Sequence, residues 1–330
     1  MHILILTPRF SPSIGGVEQH LLSVLPYLSK VHTCTVVTEL DAQHPAPAQE
    51  KTKTALVYRL AYPHKKILGL ATIWHWLWKN RQLIAGADVI HIHDVFIWYL
   101  PFRFIFPTKR ILLTLHGWEG IWPIPLKNRL YKQIAVTLAH KSVAIGSFIE
   151  KFYGVKPDII LYGGVSVPSQ TTKTHTAAIV YVGRLAQDTG LPVFLKALEN
   201  LPKQSVIFCG DGPLRSRCEE LGTVTGFVAD PSAYMQSATT IIASGYLTIL
   251  QALSLKKRVV VAYDNPLKKY YYEDSPFANY ISICKNASEI SAALVSEKQK
   301  AHKALSPQWE SAFSWQKVAI EYLHRYKQLM

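Results

Sequence analysis

The sequence predicts an α/β protein made of two doubly wound domains of similar size that face a cleft. Short runs rich in Val, Ile and Leu alternate with helical patterns along almost the whole chain. Near-continuous apolar runs are typical of parallel strands covered on both faces. The length of 330 residues favours two domains over one. In sheets of this kind, ligands bind at the carboxyl ends of the strands.

The predicted strands follow the apolar runs in chain order. In the first half they are residues 2–7, 33–38, 54–60, 88–93, 110–116, 141–145 and 158–162. In the second half they are residues 177–183, 205–210, 222–227, 240–243, 258–263 and 280–283. Residues 164–176 are rich in Ser, Thr and Pro and predict a linker. We therefore expect an N-terminal domain at 1–165, a C-terminal domain at 166–305, and a final helix over about 306–330 that packs back onto the first domain.

Composition indicates a globular protein with an anionic partner. Hydrophobic residues make up 49% of the chain and charged residues 18%, which excludes a disordered chain. The formal net charge is +14, and the basic excess is larger in the N-terminal half. Such a surplus favours nucleic acid, an acidic membrane surface or a phosphate-bearing substrate as partner. A solvated basic surface is the alternative.

Cysteine usage and hydropathy predict a cytoplasmic protein. The N-terminal run MHILILTPRF is too short for a signal peptide, and every stretch of eighteen residues contains charged or polar side chains, so we expect no transmembrane helix. The cysteines are dispersed and form no CxxC pair, which predicts reduced, mostly buried thiols. They are Cys34, Cys209, Cys218 and Cys284.

A glycine pair follows the first predicted strand. Gly15 and Gly16 open a helix whose apolar residues include Val17, Leu21 and Val24. Two glycines let the backbone approach a ligand and place free N–H groups beside it, although such a pair is commonly only a turn. The spacing is not GxGxxG, so we expect no nicotinamide cofactor.

The second half carries two further turns at strand ends. Arg184 follows Gly183, where it can bind phosphate oxygens in a bidentate manner, with a surface arginine as the alternative. The segment 240–253 (TIIASGYLTILQAL) turns at Ser244 and Gly245 into a helix. The first amides of that helix lack intrahelical partners and attract anions; they belong to Tyr246, Leu247 and Thr248.

Four segments in this order resemble glycosyltransferase family 4 on the GT-B fold, which has two Rossmann-like domains. They are GGVEQHLLSVLPYL, DVIHIHD, LLTLHG and VGRL…GDGP…GYLTILQAL. The resemblance spans nearly the whole chain. It implies a retaining transferase that moves a sugar from a nucleotide-sugar donor to an acceptor, with no cofactor and no required metal. It places the nucleotide mainly on the second domain and the acceptor on the first.

The same resemblance implies roles for individual residues. His116 and Gly16 would serve the reaction centre, with His116 contacting the transferred sugar. The donor would bind to the glycine turns, to Arg184, and to the helix that begins after Gly245. That set is Gly15, Gly16, Gly183, Arg184, Gly245, Tyr246, Leu247 and Gln251. Each would stabilise the leaving nucleoside diphosphate as negative charge develops on it.

Three positions depart from the family pattern. Thr189 stands where a lysine usually supplies a second phosphate-binding cation, and Ala243 and Gln251 replace two glutamates. Gln251 can still hydrogen-bond the ribose hydroxyls, though neutral bonds are weaker, whereas Ala243 has no polar group for the sugar. These departures favour an alternative function, a non-catalytic GT-B protein that partners an active transferase.

The segment DVIHIHD raises the alternative of a metal site. His91 and His93 share one strand face, and Asp94 follows them. No third ligand follows at a recognisable spacing, so we expect no metal.

Two aromatic stretches beside basic residues suggest a membrane surface. Residues 65–81 place Trp74, Trp76 and Trp78 between basic residues, and residues 95–110 are similarly aromatic. Trp and Tyr beside Lys and Arg suit the membrane–water interface. The alternatives are a buried helix for the first stretch and a helix broken at Pro101 for the second.

We therefore expect a nucleotide-sugar donor, a glycan or lipid-linked acceptor, and peripheral contact with the anionic inner face of the membrane. A basic nucleic-acid-binding protein is a weaker alternative. No nucleic acid is expected, because the sequence carries no RNA- or DNA-binding motif.

Overall fold

The computed structural model describes residues 1–42, 44–63, 65–165, 177–201, 205–295 and 307–330. The chain divides into two compact units. The first unit consists of Met1–Glu119, Ile124–Leu161 and Trp315–Met330, and the second of Gly120–Pro123 and Tyr162–Ser314. Of the linker predicted at 164–176, only residues 164 and 165 are among those described.

Strands and helices alternate in both units. The strands are β1 (His2–Leu6), β2 (Thr33–Glu39), β3 (Gln49–Lys51), β4 (Leu56–Leu60), β5 (Val89–His93), β6 (Arg110–Leu115), β7 (Lys141–Ile145), β8 (Ile159–Leu161), β9 (Ile179–Val182), β10 (Val206–Cys209), β11 (Thr223–Gly226), β12 (Thr240–Ala243), β13 (Arg258–Ala262) and β14 (Ser282–Cys284). The helices are α1 (Gly16–Leu28), α2 (Lys66–Lys79), α3 (Arg81–Ala85), α4 (Phe96–Ile105), α5 (Leu126–Leu138), α6 (Phe148–Tyr153), α7 (Leu191–Glu199), α8 (Arg215–Glu219), α9 (Ser232–Ser237), α10 (Tyr246–Ser254), α11 (Pro266–Glu273), α12 (Ala287–Val295), α13 (Pro307–Ala312) and α14 (Trp315–Leu329).

Each unit is organised around one sheet. Within the described residues, the first sheet has the order β3-β4-β2-β1-β5-β6-β7-β8 and is parallel except between β3 and β4. The second has the order β11-β10-β9-β12-β13-β14 and is parallel throughout. Strand order reverses between β1 and β5 and between β9 and β12, and open α/β sheets bind ligands at such reversals. The predicted α/β class is confirmed.

The apolar runs locate the strands well. Every predicted strand is present, and its ends shift by at most two residues. The short strand β3 was not predicted, because its sequence Gln-Glu-Lys carries no apolar signal. It pairs antiparallel with the edge strand β4, and the carboxylate of Glu50 accepts a hydrogen bond from Arg59 at 2.9 Å. Tertiary contact rather than local propensity therefore forms this strand.

The cores follow from the same runs. Residues 3–6 of β1 are fully buried. In the second unit, the rings of Tyr181, Phe194 and Phe208 pack together between the sheet and α7. The predicted reduced thiols are confirmed, since all four cysteines are free and buried.

The C-terminal segment corrects one prediction. The single helix expected over about 306–330 is two helices, α13 and α14, separated near Ser314. Ser314 forms a bridge with Val165, whose N–H donates to the carbonyl of Phe313 at 2.7 Å. That pairing uses backbone groups that a continuous helix would need for itself. Helix α14 then packs on α1 within the first unit.

The aromatic stretches form helices α2 and α4. Helix α4 is not broken at Pro101, which lies inside it. Proline has no N–H for the carbonyl of Ile97, and the indole N–H of Trp74 donates to that carbonyl at 3.0 Å instead. Trp78 is exposed, with the Arg81 guanidinium over its ring. Among the described residues, no helix has the length and apolar character needed to cross a membrane.

Candidate functional site

Four histidines lie together at the carboxyl ends of β5 and β6 in the first unit. We call them the histidine cluster: His20 on α1, His91 and His93 on β5, and His116 directly after β6. Nδ1 of His93 lies 2.7 Å from Nε2 of His116. The rings of His20 and His116 meet edge to face at 4.8 Å between centroids. The parallel register of β5 and β6 brings His93 and His116 to the same edge of the sheet.

Helix α14 holds the cluster from the C-terminal end of the chain. The hydroxyl of Tyr322 lies 2.8 Å from Nε2 of His20, and that of Tyr326 lies 2.7 Å from Nδ1 of His91. The hydroxyl of Thr114 lies 2.8 Å from Nε2 of His91. Both ring nitrogens of His91 are therefore used in hydrogen bonds, so this ring is structural and does not offer a metal ligand. Among the described residues, no group of three or more His, Cys, Asp and Glu side chains is arranged to hold a metal ion.

The cluster is uncharged at neutral pH. Burial lowers the pKa of His20, His91 and His93 well below the usual range, and the neighbouring imidazoles lower it further. Burial, followed by the positive charge of Lys132, lowers the pKa of His116 to about 3. These side chains can therefore donate or accept hydrogen bonds without carrying charge.

The unused nitrogen of His93 decides the tautomer of His116. Nε2 of His93 is buried and has no hydrogen-bond partner among the described residues. If Nε2 carried the proton, an N–H donor would be buried and unpaired, which is rarer and costlier than an unpaired acceptor. The proton therefore sits on Nδ1 of His93 and is donated to Nε2 of His116. As a result, His116 carries its own proton on Nδ1 and presents an N–H donor.

The loop after β5 fixes the backbone of His116. Asp94 has a positive φ of 60°, and its carboxylate accepts a hydrogen bond from the N–H of His116 at 3.0 Å. Burial raises the pKa of Asp94, opposed by Lys132 and by the bond from His116. The ammonium of Lys132, itself buried, donates to the carbonyl of Gly117 and lies 3.4 Å from the carboxylate of Glu119. The position of His116 is thus determined by buried polar contacts.

The turn at Gly15 and Gly16 lies beside a carboxylate that was not predicted. Gly15 has an extended backbone, with φ of −179°, and a Cβ at this position would contact the carboxylate of Glu18. Glu18 is buried, and burial raises its pKa. A Cβ at Gly16 would meet no atom within 4 Å. The side chain of Glu18, which the sequence analysis missed, therefore shares the start of α1 with any anion bound there.

In the second unit, the loops after β9 and β12 touch each other. Gly183 has φ of 151°, and a Cβ on it would overlap the hydroxyl of Ser244. Arg184 follows, with a side chain that is 63% exposed and forms an ion pair with Asp188 at 2.6 Å. This contact places Arg184 directly beside the turn that opens α10.

At the start of α10, the N-cap is the predicted residue, but the first amide is not free as predicted. Gly245 is the N-cap, as expected. The N–H of Tyr246 is not a free donor, because it donates to the hydroxyl of Tyr271 at 3.0 Å, and the two rings stack at 3.8 Å. Helix α11 supplies Tyr271, which the local sequence of α10 could not indicate. The amide of Leu247 remains one of the first-turn donors that lack an intrahelical acceptor.

The substituted positions are occupied as follows. Thr189 is buried, and its hydroxyl donates to the carbonyl of Ala186 and accepts from Tyr181. Ala243 is buried at the end of β12. The amide of Gln251 donates to the hydroxyl of Ser232 at 2.8 Å. Thr189 therefore faces the interior and adds no cation to this edge.

A buried lysine provides a cation at the same edge. Lys268 on α11 is 5% exposed, and its ammonium donates to the carbonyl of Ser244 at 3.1 Å. We call Arg184, Lys268 and the Ser244-Gly245 turn the cationic edge. The sequence analysis missed Lys268, although one signal was available: it lies next to Leu267 and four residues before Tyr272, on the buried face of α11.

Comparison with known proteins gives a family resemblance for the first unit. Residues 14–165 match the family model described as Glycosyltransferase Family 4. The match covers α1 to β8 and contains the whole histidine cluster. A comparison with curated protein sequences found no match.

Solved structures with the same fold cover both units of this chain. Sucrose-phosphate synthase of Thermosynechococcus elongatus has a TM-score of 0.77 at 12% identity, over 99% of this chain and 98% of that chain. HepE of Anabaena, solved with UDP and with UDP-glucose, has a TM-score of 0.71 at 16% identity, over 100% of both chains. An α,α-trehalose-phosphate synthase of Burkholderia xenovorans, solved with glucose-6-phosphate, has a TM-score of 0.70 at 12% identity, over 99% of this chain and 100% of that chain. At these identities the likeness shows the fold, which is GT-B.

Proposed function

We propose that this protein is a glycosyltransferase that moves a sugar from a nucleoside-diphosphate sugar to a glycan or lipid-linked acceptor, with retention of configuration. The observation that carries the proposal is the contact between the loops after β9 and β12. It brings Gly183, which precedes Arg184, against Ser244, which precedes the N-cap of α10, where amides and the helix dipole favour negative charge. A diphosphate is the ligand with the charge and oxygen atoms that such a place binds best.

The two units would divide the reaction between them. The cationic edge stabilises the leaving diphosphate as charge develops on it. The Nδ1–H of His116 donates to a hydroxyl of the transferred sugar, which is neutral and needs no charged partner. Retention rests on the resemblance of the first unit to Glycosyltransferase Family 4, and the anomeric configuration of the product, read by NMR, tests it.

We propose a UDP-sugar as the first donor to examine, because HepE was solved with UDP and with UDP-glucose. The amide of Gln251 would bind the ribose hydroxyls. It now donates to the hydroxyl of Ser232 at 2.8 Å and to the carboxylate of Asp230 at 3.4 Å. The hydroxyl is itself a donor and an acceptor and can exchange partners with a ribose.

We propose a lipid-linked acceptor at the inner membrane face because of exposed apolar side chains between basic ones. On α5, Leu126, Leu130 and Ile134 are exposed along one face of the helix. Lys127 and Arg129 are exposed on either side of that face. Such a stripe suits the boundary between headgroups and acyl chains of an anionic membrane.

The membrane proposal is tested by sedimentation with vesicles. Wild-type protein is expected to bind vesicles of phosphatidylcholine with phosphatidylglycerol and not those of phosphatidylcholine alone. A variant with Leu130→Ser and Ile134→Ser should lose this binding, while Ile320→Ser, at an exposed position on α14, serves as control. Equal binding of all three proteins would reject α5 as the membrane surface.

The donor proposal is tested by thermal unfolding with UDP-, GDP-, dTDP- and ADP-sugars. At least one donor should raise the melting temperature of the wild type, and Arg184→Ala should reduce that shift. Arg217→Ala is the matched control, because Arg217 is half-exposed and ion-paired with Glu199 at 2.8 Å, away from the cationic edge. No shift with any donor at millimolar concentration would favour a non-catalytic partner of an active transferase.

A further inference from the structure

Lys268 is a buried lysine on α11 of the second unit. Within the part of the chain that the structure describes, no carboxylate forms an ion pair with its ammonium, although the residue is 5% exposed. Lysines are rarely buried to this degree unless they are paired, because desolvating the charge is costly. Either the groups around Lys268 stabilise its positive charge by themselves, or a bound anion completes that stabilisation.

The surroundings tolerate the charge only in part. The ammonium has three N–H groups and one close oxygen acceptor, the carbonyl of Ser244 at 3.1 Å. Its other neighbours are the rings of Tyr271 at 4.6 Å and Tyr272 at 5.4 Å. Ring faces attract cations but do not replace a hydrogen-bond acceptor. The site therefore stabilises a cation, and the remaining N–H groups of the ammonium can donate to a further acceptor.

The position of Lys268 indicates which acceptor that is. Ser244 directly precedes the N-cap of α10, and the same residue contacts Gly183 in the loop that carries Arg184. Arg184 lies within electrostatic reach of Lys268. So do the carboxylates of Asp188 and Asp264, and Asp188 forms an ion pair with Arg184. The helix N-terminus at the same strand edge also favours negative charge, so an anion with several oxygens can accept hydrogen bonds from the ammonium, the guanidinium and the helix amides together.

We propose that Lys268 binds the diphosphate of the nucleotide-sugar donor together with Arg184, supplying from α11 the second cation that is absent at Thr189. This inference rests on the proposed function of the same edge. It also explains how a chain with Thr189 in the interior can keep two cations at its donor site.

The acid–base behaviour of Lys268 gives the proposal a second readout. Burial, opposed by Asp188 and assisted by Arg184, lowers the pKa of Lys268 to about 8. Lys268 in the free protein therefore loses its charge as pH rises through about 8, whereas a bound diphosphate favours the charged form. Diphosphate affinity of the wild type should fall roughly fourfold between about pH 7 and about pH 8.5.

The experiment is calorimetric titration with UDP, GDP, dTDP and ADP. Lys268→Met should weaken the best-bound diphosphate by roughly 10- to 100-fold and abolish the fall in affinity between those two pH values. Lys268→Gln keeps an N–H donor for the carbonyl of Ser244 but removes the charge, so it should weaken binding by a similar factor. Lys269→Met is the control, because Lys269 is half-exposed and lies 3.7 Å from Glu273.

The possible outcomes separate this inference from the proposed function. If the wild type binds a diphosphate and the Lys268→Gln variant binds it equally well, Lys268 is only a packing residue and the inference is overturned. If the wild type binds none of the four diphosphates, the proposed function fails and the inference fails with it. Weak binding by both Lys268 variants, with normal binding by Lys269→Met, supports the inference.

Discussion

The histidine cluster and the cationic edge lie at equivalent places in two similar sheets, yet they differ in charge. The cluster lies beside the strand reversal of the first sheet and consists of imidazoles that burial keeps neutral. The cationic edge lies at the reversal of the second sheet and carries an exposed guanidinium and a buried ammonium. The same topology thus offers neutral donors in one unit and positive charge in the other.

The difference comes from what covers each strand edge. Helices α1 and α14 cover the cluster, and burial removes the water that an imidazolium would need. At the cationic edge, Arg184 reaches solvent, and Lys268 is surrounded by a carbonyl and ring faces that tolerate a cation. A neutral sugar suits the first environment, and a diphosphate suits the second.

The largest expected effect is loss of stability in mild acid. Below about pH 6.5 the unfolded chain protonates its histidines, whereas the four histidines of the cluster stay neutral in the folded state because their pKa is lowered. The unfolded state then binds more protons, so stability falls as pH falls. Between about pH 7 and about pH 5.5 we expect a loss of about 1 kcal/mol per histidine, or roughly 4 kcal/mol together.

Urea unfolding at the two pH values measures this loss. His20→Gln can keep the hydrogen bond to Tyr322 and should reduce the loss by about one quarter. His75→Gln, at an exposed position on α2, should leave it unchanged. A stability that does not change with pH would mean that the cluster is charged in the folded protein.

The next effect compares the two predicted glycine turns. Gly183→Ala should destabilise the protein by about 2 kcal/mol or more, because its φ is positive and a Cβ would overlap Ser244. Gly16→Ala should change stability by about 0.5 kcal/mol or less, since a Cβ there meets open space. Urea unfolding of both variants checks this, and similar effects in the two would contradict the described turns.

A smaller effect concerns the support of the cluster by α14. Tyr322→Phe removes the hydroxyl that binds Nε2 of His20 and leaves that buried nitrogen unpaired. We expect a loss of about 1–2 kcal/mol in urea unfolding. Diphosphate affinity should stay unchanged, because Tyr322 belongs to the first unit. Reduced diphosphate affinity in this variant would show that the two sites do not act separately.

The smallest expected effect is that of a chelator. We propose that Arg184 and Lys268 supply the positive charge that the leaving diphosphate requires, so EDTA should leave the release of nucleoside diphosphate unchanged. A loss of release that added Mg²⁺ restores would show that the cationic edge is insufficient by itself.

The fold was largely predictable, because parallel buried strands appear in the sequence as apolar runs. The strand β3 was not, since only its pairing with β4 makes Gln-Glu-Lys a strand. The split of the C-terminal helix depends on Val165, about 150 residues away along the chain. Such long-range pairings leave no local pattern.

The sequence was sufficient to select the glycines, His116 and Arg184 as candidate site residues, because they lie in motifs at strand ends. Its supporting residues were not. Tyr322 and Tyr326 come from the opposite end of the chain, and Tyr271 reaches the first amide of α10 from another helix. Lys268 appears in the sequence only as one polar residue on the apolar face of a helix. Its meaning depends on the carbonyl and loop beside it.

The measurement that tests the division between the two sites most directly uses His116→Ala. The account predicts that release of nucleoside diphosphate from the preferred donor slows by roughly 100-fold or more, while affinity for the free diphosphate stays within about twofold of the wild type. His75→Ala is the control for loss of an exposed imidazole. A variant that turns over normally, or one that loses diphosphate affinity instead of turnover, would contradict the assignment of the sugar to the first unit and the diphosphate to the second.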